Sequence, residues 1–408
     1  MNYVLRFLFS TRAGIMSQLT FEIVSGAVAG SACAFRSRTR LQPADGPGGK
    51  VFPPTHLDGK YATEQRVVEG RDKPIDCVLL DSVQSHANRC EEALQLAVDR
   101  EQIELPLVVV DFPDEGLIDP IDRLTSLETP HRLADAILRD SEYEGTPFRK
   151  SELGKRLDYA SLKNATPLLD LSPHSLLFGI WDSTGPKGGL GVKFQRALVG
   201  EIIGYDIVTG KKTASRIDPL QIVSATKVKR TESGWEIAKE NDKKAKSPAE
   251  INHGNIPPTI SDGGVTMAYA EHSVVISLPA LRRLRFPIEK AFTVQRDDAA
   301  RTLLAALGIL SVTLATEQGF DLRSRCLLWP ETVVRFELLD RPGEKPTAYE
   351  VNSASAIDIY KQAVEGVKKA GLPWRTEPVK LTPSAQLVKL IRASQEKAAS
   401  DTSVAEGA

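Results

Sequence analysis

The sequence predicts an α+β protein, a sheet domain decorated by insertions. Three observations predict it. Short apolar runs of strand length recur, such as Cys77–Asp81, Leu105–Phe112 and Thr332–Leu339. Segments with helical spacing stand between them, at 82–99, 299–314 and 356–369. The two kinds alternate irregularly across long loops instead of in a strict repeat.

Taken in order, the first fifteen residues hold Leu5, Phe7, Leu8 and Phe9, broken by Arg6 and Arg12. The apolar run is too short for a membrane span and no signal-peptide cleavage pattern follows. Residues 1–15 read as an upstream extension, with Met16 opening a better-patterned segment. Leu19–Val24 reads as a short strand. Residues 34–41 form a second extended segment, and Arg36, Arg38 and Arg40 fall at every second position. Side chains alternate on a strand, so three guanidinium groups project from one face. A glycine- and proline-rich loop follows, carrying Asp45 and Lys50.

Ser82 is placed as the N-cap of a helix running to Asp99. Its first turns hold Gln84, Ser85, Asn88 and Arg89, groups able to bind phosphates, sugars and base edges. His131–Arg139 has helical spacing, which would set His131 and Arg132 at a helix N-terminus suited to anions. Leu176–Trp181 reads as a strand entering a Gly-rich loop, 182–193, flanked by Trp181 and containing Lys187 and Lys193. Residues 196–208 fit helix or strand. Residues 227–256 mix charge with Gly, Asn and Pro and read as an inserted hairpin, a strand follows at 273–278, and 394–408 reads as a frayed tail. No stretch is apolar enough to cross a membrane. A main domain over 16–393 results.

The chain has 408 residues, 41% of them hydrophobic, with a formal net charge of -1. This excludes a simple polycation that coats nucleic acid but leaves room for a local basic groove. Four cysteines, Cys33, Cys77, Cys90 and Cys326, form no C-x-x-C pair, and the six histidines form no H-x-x-x-H pattern. Spacing therefore supplies no metal site, and no cofactor is expected. The loop at 185–193 lacks the Lys-Ser/Thr of a P-loop, and Phe194 stands where the last glycine of G-x-G-x-x-G belongs. A small-molecule enzyme using the loop at 185–193 stays open beside a nucleic-acid-binding reading.

Four segments together resemble one family. They are Leu41-Gln-Pro-Ala-Asp-Gly-Pro-Gly-Gly-Lys-Val-Phe-Pro-Pro-Thr, Val78-Leu-Leu-Asp-Ser-Val-Gln-Ser-His-Ala-Asn-Arg, Thr129-Pro-His-Arg-Leu-Ala-Asp-Ala-Ile-Leu-Arg-Asp-Ser and Phe178-Gly-Ile-Trp-Asp-Ser-Thr-Gly. The chain resembles the backbone (Cas-seven group) subunit of the type I-G CRISPR effector, formerly type I-U, strongly over Ser31–Asp206. The resemblance implies a modified RRM-like (ferredoxin-like) palm with inserted finger and thumb elements. It implies a non-catalytic cytoplasmic protein whose copies line up head to tail along a CRISPR guide RNA, which then pairs with target DNA; its likeness to type III backbone subunits that cut RNA with a loop aspartate keeps open a metal-dependent endoribonuclease using Asp45. Its implied partners are a large subunit, a fused cap-and-processing subunit and a helicase-nuclease. The candidate RNA-binding residues are Arg36, Arg38, Arg40, Lys50, Ser82, Gln84, Asn88, Arg89, His131, Arg132, Trp181, Lys187 and Lys193.

Overall fold

A computed structural model describes residues 17–112, 116–183, 191–231, 234–239 and 241–407, with side chains to 399. Residues 1–16 and Lys187 lie outside the described residues. The main sheet has nine strands: β1 (Ala34–Pro43), β2 (Thr63–Arg66), β3 (Ile75–Asp81), β4 (Leu198–Arg216), β5 (Ile256–Ser277), β6 (Phe320–Arg323), β7 (Cys326–Pro330), β8 (Arg335–Leu339) and β9 (Thr347–Glu350). Its order is β6-β7-β1-β5-β4-β3-β2, with β8 on the first half of β1 and β9 on β8. Four helices matter here: α1 (Phe21–Ala29), α2 (Val83–Asp99), α3 (Val294–Glu317) and α4 (Ser353–Lys369).

Stripped of additions, the chain order β1-α2-β4-β5-α3-β8 gives the sheet order β8-β1-β5-β4, every pairing antiparallel. That is the split βαβ arrangement of a ferredoxin-like, RRM-like fold. The helices share one face with Phe35, Leu198, Val274 and Ile276 in the main core. A second cluster under Leu41, Val78, Leu80, Ile202 and Phe320 extends it toward β6 and β7. A smaller sheet, with Val108–Asp111 parallel to Val379–Pro383 at its centre, adds to the main core.

Local chemistry explains the elements. Ser82 Oγ accepts the Ser85 N–H at 3.2 Å and caps α2, as its sequence predicts. Ala87, Cys90, Leu94 and Ala97 then bury one face. Thr293 caps α3, whose apolar surface is buried nearly all round. By length and composition α3 could cross a membrane, against the sequence expectation, but 94% of its apolar window is buried inside the protein.

Other expectations are corrected. Leu19–Val24 is not a strand: Thr20 accepts the Ile23 N–H and starts α1. Leu176–Trp181 is mostly helix, with Pro167 and Pro173 opening two short helices, and only Ile180–Trp181 is extended. His131–Arg139 is a 3-10 turn, Arg132–Ala134, followed by one helical turn capped by Asp135. Arg132 itself has φ 52°, which breaks the continuous helix. The expected frayed tail is helical through Gly407, and Gln395 in that helix bonds the Ile118 N–H and the Asp119 carbonyl.

The β4–β5 pair runs on past the sheet as a two-stranded ribbon. Residues 211–215 and 256–262 are exposed on both faces. At its end sits the insertion, in which Val228–Thr231 pairs with Gly234–Ile237, inside the segment predicted as a hairpin. Asp218 ties this insertion together: its carboxylate accepts N–H groups of Leu220, Ile222 and Gly254. Those donors hold it below the usual carboxylate range. Arg216 binds the carbonyls of His253 and Gly254 and closes the ring.

The helix face also buries histidines. His86 on α2 and His272 on β5 meet Nε2 to Nε2 at 2.8 Å. Gly200 on β4 permits this, since a Cβ there would stand 2.4 Å from the His86 ring. Burial lowers His86 to about 4, with Arg89 adding to it. Burial likewise lowers His174 to about 3 and His272 well below the ordinary range.

These groups stay neutral when folded and take protons near pH 6.5 when unfolded. Their stabilisation is complete above about pH 6.5 and is lost as pH falls, at about 1.4 kcal/mol per pH unit for each histidine. Glu91, raised by burial to about 7 against the pull of Arg132, opposes them with one proton. The urea midpoint should therefore fall between pH 6.5 and 5, with a net slope of about 3 kcal/mol per unit; a flat profile contradicts the neutral histidines. Gly200→Ala should push His86 off His272 and cost about 1–3 kcal/mol in chemical denaturation. Asp218→Ala should open the insertion to limited proteolysis while the main unfolding transition stays in place.

Candidate nucleic-acid interface

With the helices on one face, the other face of the main sheet is left to solvent. Arg36, Arg38 and Arg40 do project from it together, alternating with buried Ser37 and Thr39. They are not free. Arg36 pairs with Glu337 of β8 at 2.6 Å, and Arg38 forks onto Glu271 of β5 at 2.8 Å. Arg40 lies 3.7 Å from Glu331 and 4.3 Å over the Tyr269 ring. Hydrogen bonding to Glu271, then its charge, raises Arg38 further. Tyr269 stacks on Tyr205 of β4, with ring centres 5.1 Å apart and planes 12° from parallel. Arg66 of β2 bonds Tyr205 and bridges Glu201 and Glu64. A ladder of planar groups, Arg40–Tyr269–Tyr205–Arg66, therefore runs over β1, β5 and β4 and reaches past β3 to β2. Each aromatic ring already has a partner, and each arginine a carboxylate. The expected charged face is a neutral, mutually paired one.

The end of this sheet beside the ribbon differs. The chain leaving β1 turns through Asp45, whose carboxylate folds over Gly49, and enters Lys50–Thr55. Val51 bridges to Val265 at the base of the ribbon. Gly264, at φ 74°, lets the Lys50 stem pass, because a Cβ would lie 2.8 Å from its Cδ. Lys50 Nζ then donates to the Lys211 carbonyl at 2.7 Å. Arg325, in the β6–β7 turn, sits 4.1 Å over the Phe52 ring, and Arg323 donates to the Pro53 carbonyl at 3.0 Å.

The remaining predicted residues divide in two. Gln84, Asn88 and His131 are exposed. Trp181 is 55% exposed, with Lys193 Nζ 5.0 Å over its ring across the short hairpin that flanks the Gly-rich loop. Ser82 is taken up in capping α2. Arg89 is half-buried, donating to the carbonyls of Asp321 and Leu322 and lying 3.3 Å from Asp81, so it fixes β6 to α2. Arg132 contradicts its expected role as a surface phosphate contact. It is 6% exposed, forked onto buried Glu91 at 2.6 and 2.7 Å and bonded to the Gly179 carbonyl. Buried charge survives only when paired in this way, which commits the Arg132 charge to the fold.

Sequence reading missed Lys212, Arg323 and Arg325. Only the twisting of β6–β7 and the ribbon toward one loop makes them neighbours of Lys50. A cavity of about 210 Å³ adjoins Lys193 and Phe194, and a larger one, about 810 Å³, lies elsewhere, against Tyr159, Phe292 and Leu372. Among the described residues no group of three or more His, Cys, Asp or Glu is placed to hold a metal.

Comparison with known proteins places these features. No curated protein sequence matches the chain. A solved structure titled "CRISPR RNA-guided surveillance complex, pre-nicking" aligns with 88% of this chain and 100% of its own, at 10% identity and a TM-score of 0.31. That likeness is too slight to bear weight. The family model "CRISPR-associated protein GSU0053" matches residues 35–209. That span runs from β1 through α2 to the start of the ribbon, and over it the chain is similar to this family of CRISPR-associated proteins.

Proposed function

We propose that the protein is a non-catalytic, guide-RNA-binding backbone subunit of a type I CRISPR interference complex, of the type I-G kind. The observation that carries this reading is the CRISPR-associated family match, which covers the arginine strand, the glycine-rich loop and the first half of the split βαβ core. An RRM-like sheet with helices on one face leaves the opposite face and its loops for a single strand. The ribbon of β4 and β5 has the shape of a thumb, larger than the segment 227–256 suggested and starting near Thr209.

In this reading, copies of the chain stack head to tail on one CRISPR RNA in the cytoplasm. The protein holds the backbone, and base pairing with target DNA supplies sequence recognition, a division of labour known for RNA-guided effectors. A large subunit, a fused cap-and-processing subunit and a recruited helicase-nuclease complete the machinery. Asp45 as a metal-dependent nuclease residue is the alternative; among the described residues no group of three or more His, Cys, Asp or Glu is placed to hold a metal beside it.

The test is purification of the protein alone and with its neighbouring subunits, followed by sequencing of the nucleic acid retained. Discrete guide RNA protected along a multi-copy assembly is the expected result. A nucleic-acid-free monomer, obtained even with guide RNA and partners co-expressed, overturns the reading.

A further inference from the structure

We infer that the phosphate backbone of the RNA is held at the ribbon end of the sheet, by Lys50, Lys212, Arg323 and Arg325, and not by the arginine row Arg36, Arg38 and Arg40. The inference rests on the RNA-binding reading above and assigns its contacts.

Each arginine of the row has a carboxylate within 3.7 Å or less. A phosphate arriving there must evict Glu337, Glu271 or Glu331 and exchanges one anion for another. The gain is small, and few counterions are released, because the protein's own carboxylates had displaced them. Stacking is likewise closed, since Tyr269 lies between Arg40 and Tyr205.

The four cations at the ribbon end have no carboxylate partner among the described residues. Lys50 and Arg323 bond neutral carbonyls, which orient the side chains without cancelling their charge. Arg325 rests on the Phe52 ring, which leaves its N–H edge open. Lys212 is exposed and packs its stem against Gly263. Of the nearby acids, Asp262 is bound by Lys211, Asp58 lies 4.0 Å from Lys60, Asp45 folds over Gly49 and Asp321 shares β6 with Arg323; among the described residues none forms an ion pair with the four cations.

One short segment holds Lys50, Arg323 and Arg325, and Lys50 reaches the backbone of Lys211, next to Lys212. Lys50 and Phe52 point to the side opposite buried Val51 and Pro53. Residues 50–55 span at most about 18 Å. The segment is pinned to the ribbon by Val51 and Val265, and to the β6–β7 turn by the Phe52 N–H on the Arg325 carbonyl at 3.0 Å. A fixed row of unspent cations is what a phosphodiester chain requires.

The experiment measures the binding of a mixed-sequence single-stranded RNA across a salt series. It compares the wild type, a Lys50→Gln, Lys212→Gln, Arg325→Gln variant and an Arg36→Gln, Arg38→Gln, Arg40→Gln variant. Glutamine keeps most of each stem and removes the charge. Each lost phosphate contact lowers the log–log salt slope by about 0.7 for a single strand. The first variant should lose about two units of slope, and the second well under one. The exposed pair Lys212→Gln, Arg325→Gln alone should lose about 1.4 units, a result independent of any folding defect at Lys50. A larger or equal loss in the arginine-row variant overturns the assignment while leaving the RNA-binding role intact. A wild type that binds no RNA overturns both.

Discussion

The antiparallel pairing of β4 with β5 is the constraint on which the molecule depends. It runs from Leu198 opposite Ile276 to Arg216 opposite Ile256. Its inner part supplies two central strands of the main sheet, where β1 joins one side and β3 the other. Its outer part is the ribbon. The ladder Arg40–Tyr269–Tyr205–Arg66 crosses it on one face, and the His86–His272 contact sits beneath it on the other. Val265 near the start of the ribbon also receives the loop after β1. Core, open face, loop and projection are thus registered by one set of backbone hydrogen bonds.

Charge is arranged around this frame with little waste. The sheet face matches arginine to glutamate across strands far apart in sequence. The pairs that are exposed contribute little stability individually, but they fix side chains in register and keep a broad surface near neutrality. Such a surface does not attract polyanions at random. On the inference drawn above, attraction is left to a smaller set of cations that form no ion pair among the described residues. A net charge of -1 is compatible with a nucleic-acid-binding protein on these terms, because the local balance, not the total, meets the ligand.

Much of the frame was legible in the sequence where a local signal existed. Ser82 before a periodic run gave the start of α2, and the alternation of Arg36, Arg38 and Arg40 gave the face of β1. Where a run was short and apolar, the sequence did not distinguish helix from strand. Leu19–Val24 and Leu176–Trp181 were misread because Thr20 and two prolines decide those cases locally. The candidate site was less legible. Glu337 lies 301 positions from Arg36, so nothing near the arginines announces that they are paired. Arg132 looked like a surface group because Glu91, its partner, sits mid-helix within an otherwise ordinary amphipathic pattern. Lys212, Arg323 and Arg325 converge on Lys50 only after the sheet is assembled.

The ribbon has a mechanical meaning as well. It is the continuation of two central strands, with no loop between it and the sheet. From Lys211 to Arg216 it reaches about 17 Å at the rise of an extended strand. Irregular pairing between Thr209 and Lys211, and again between Ala214 and Arg216, gives it only two places to flex. A rod of that kind sets a spacing. Whatever its tip touches is held at a distance counted in strand residues, and lengthening both strands by two would move that contact outward by about 7 Å without turning its face.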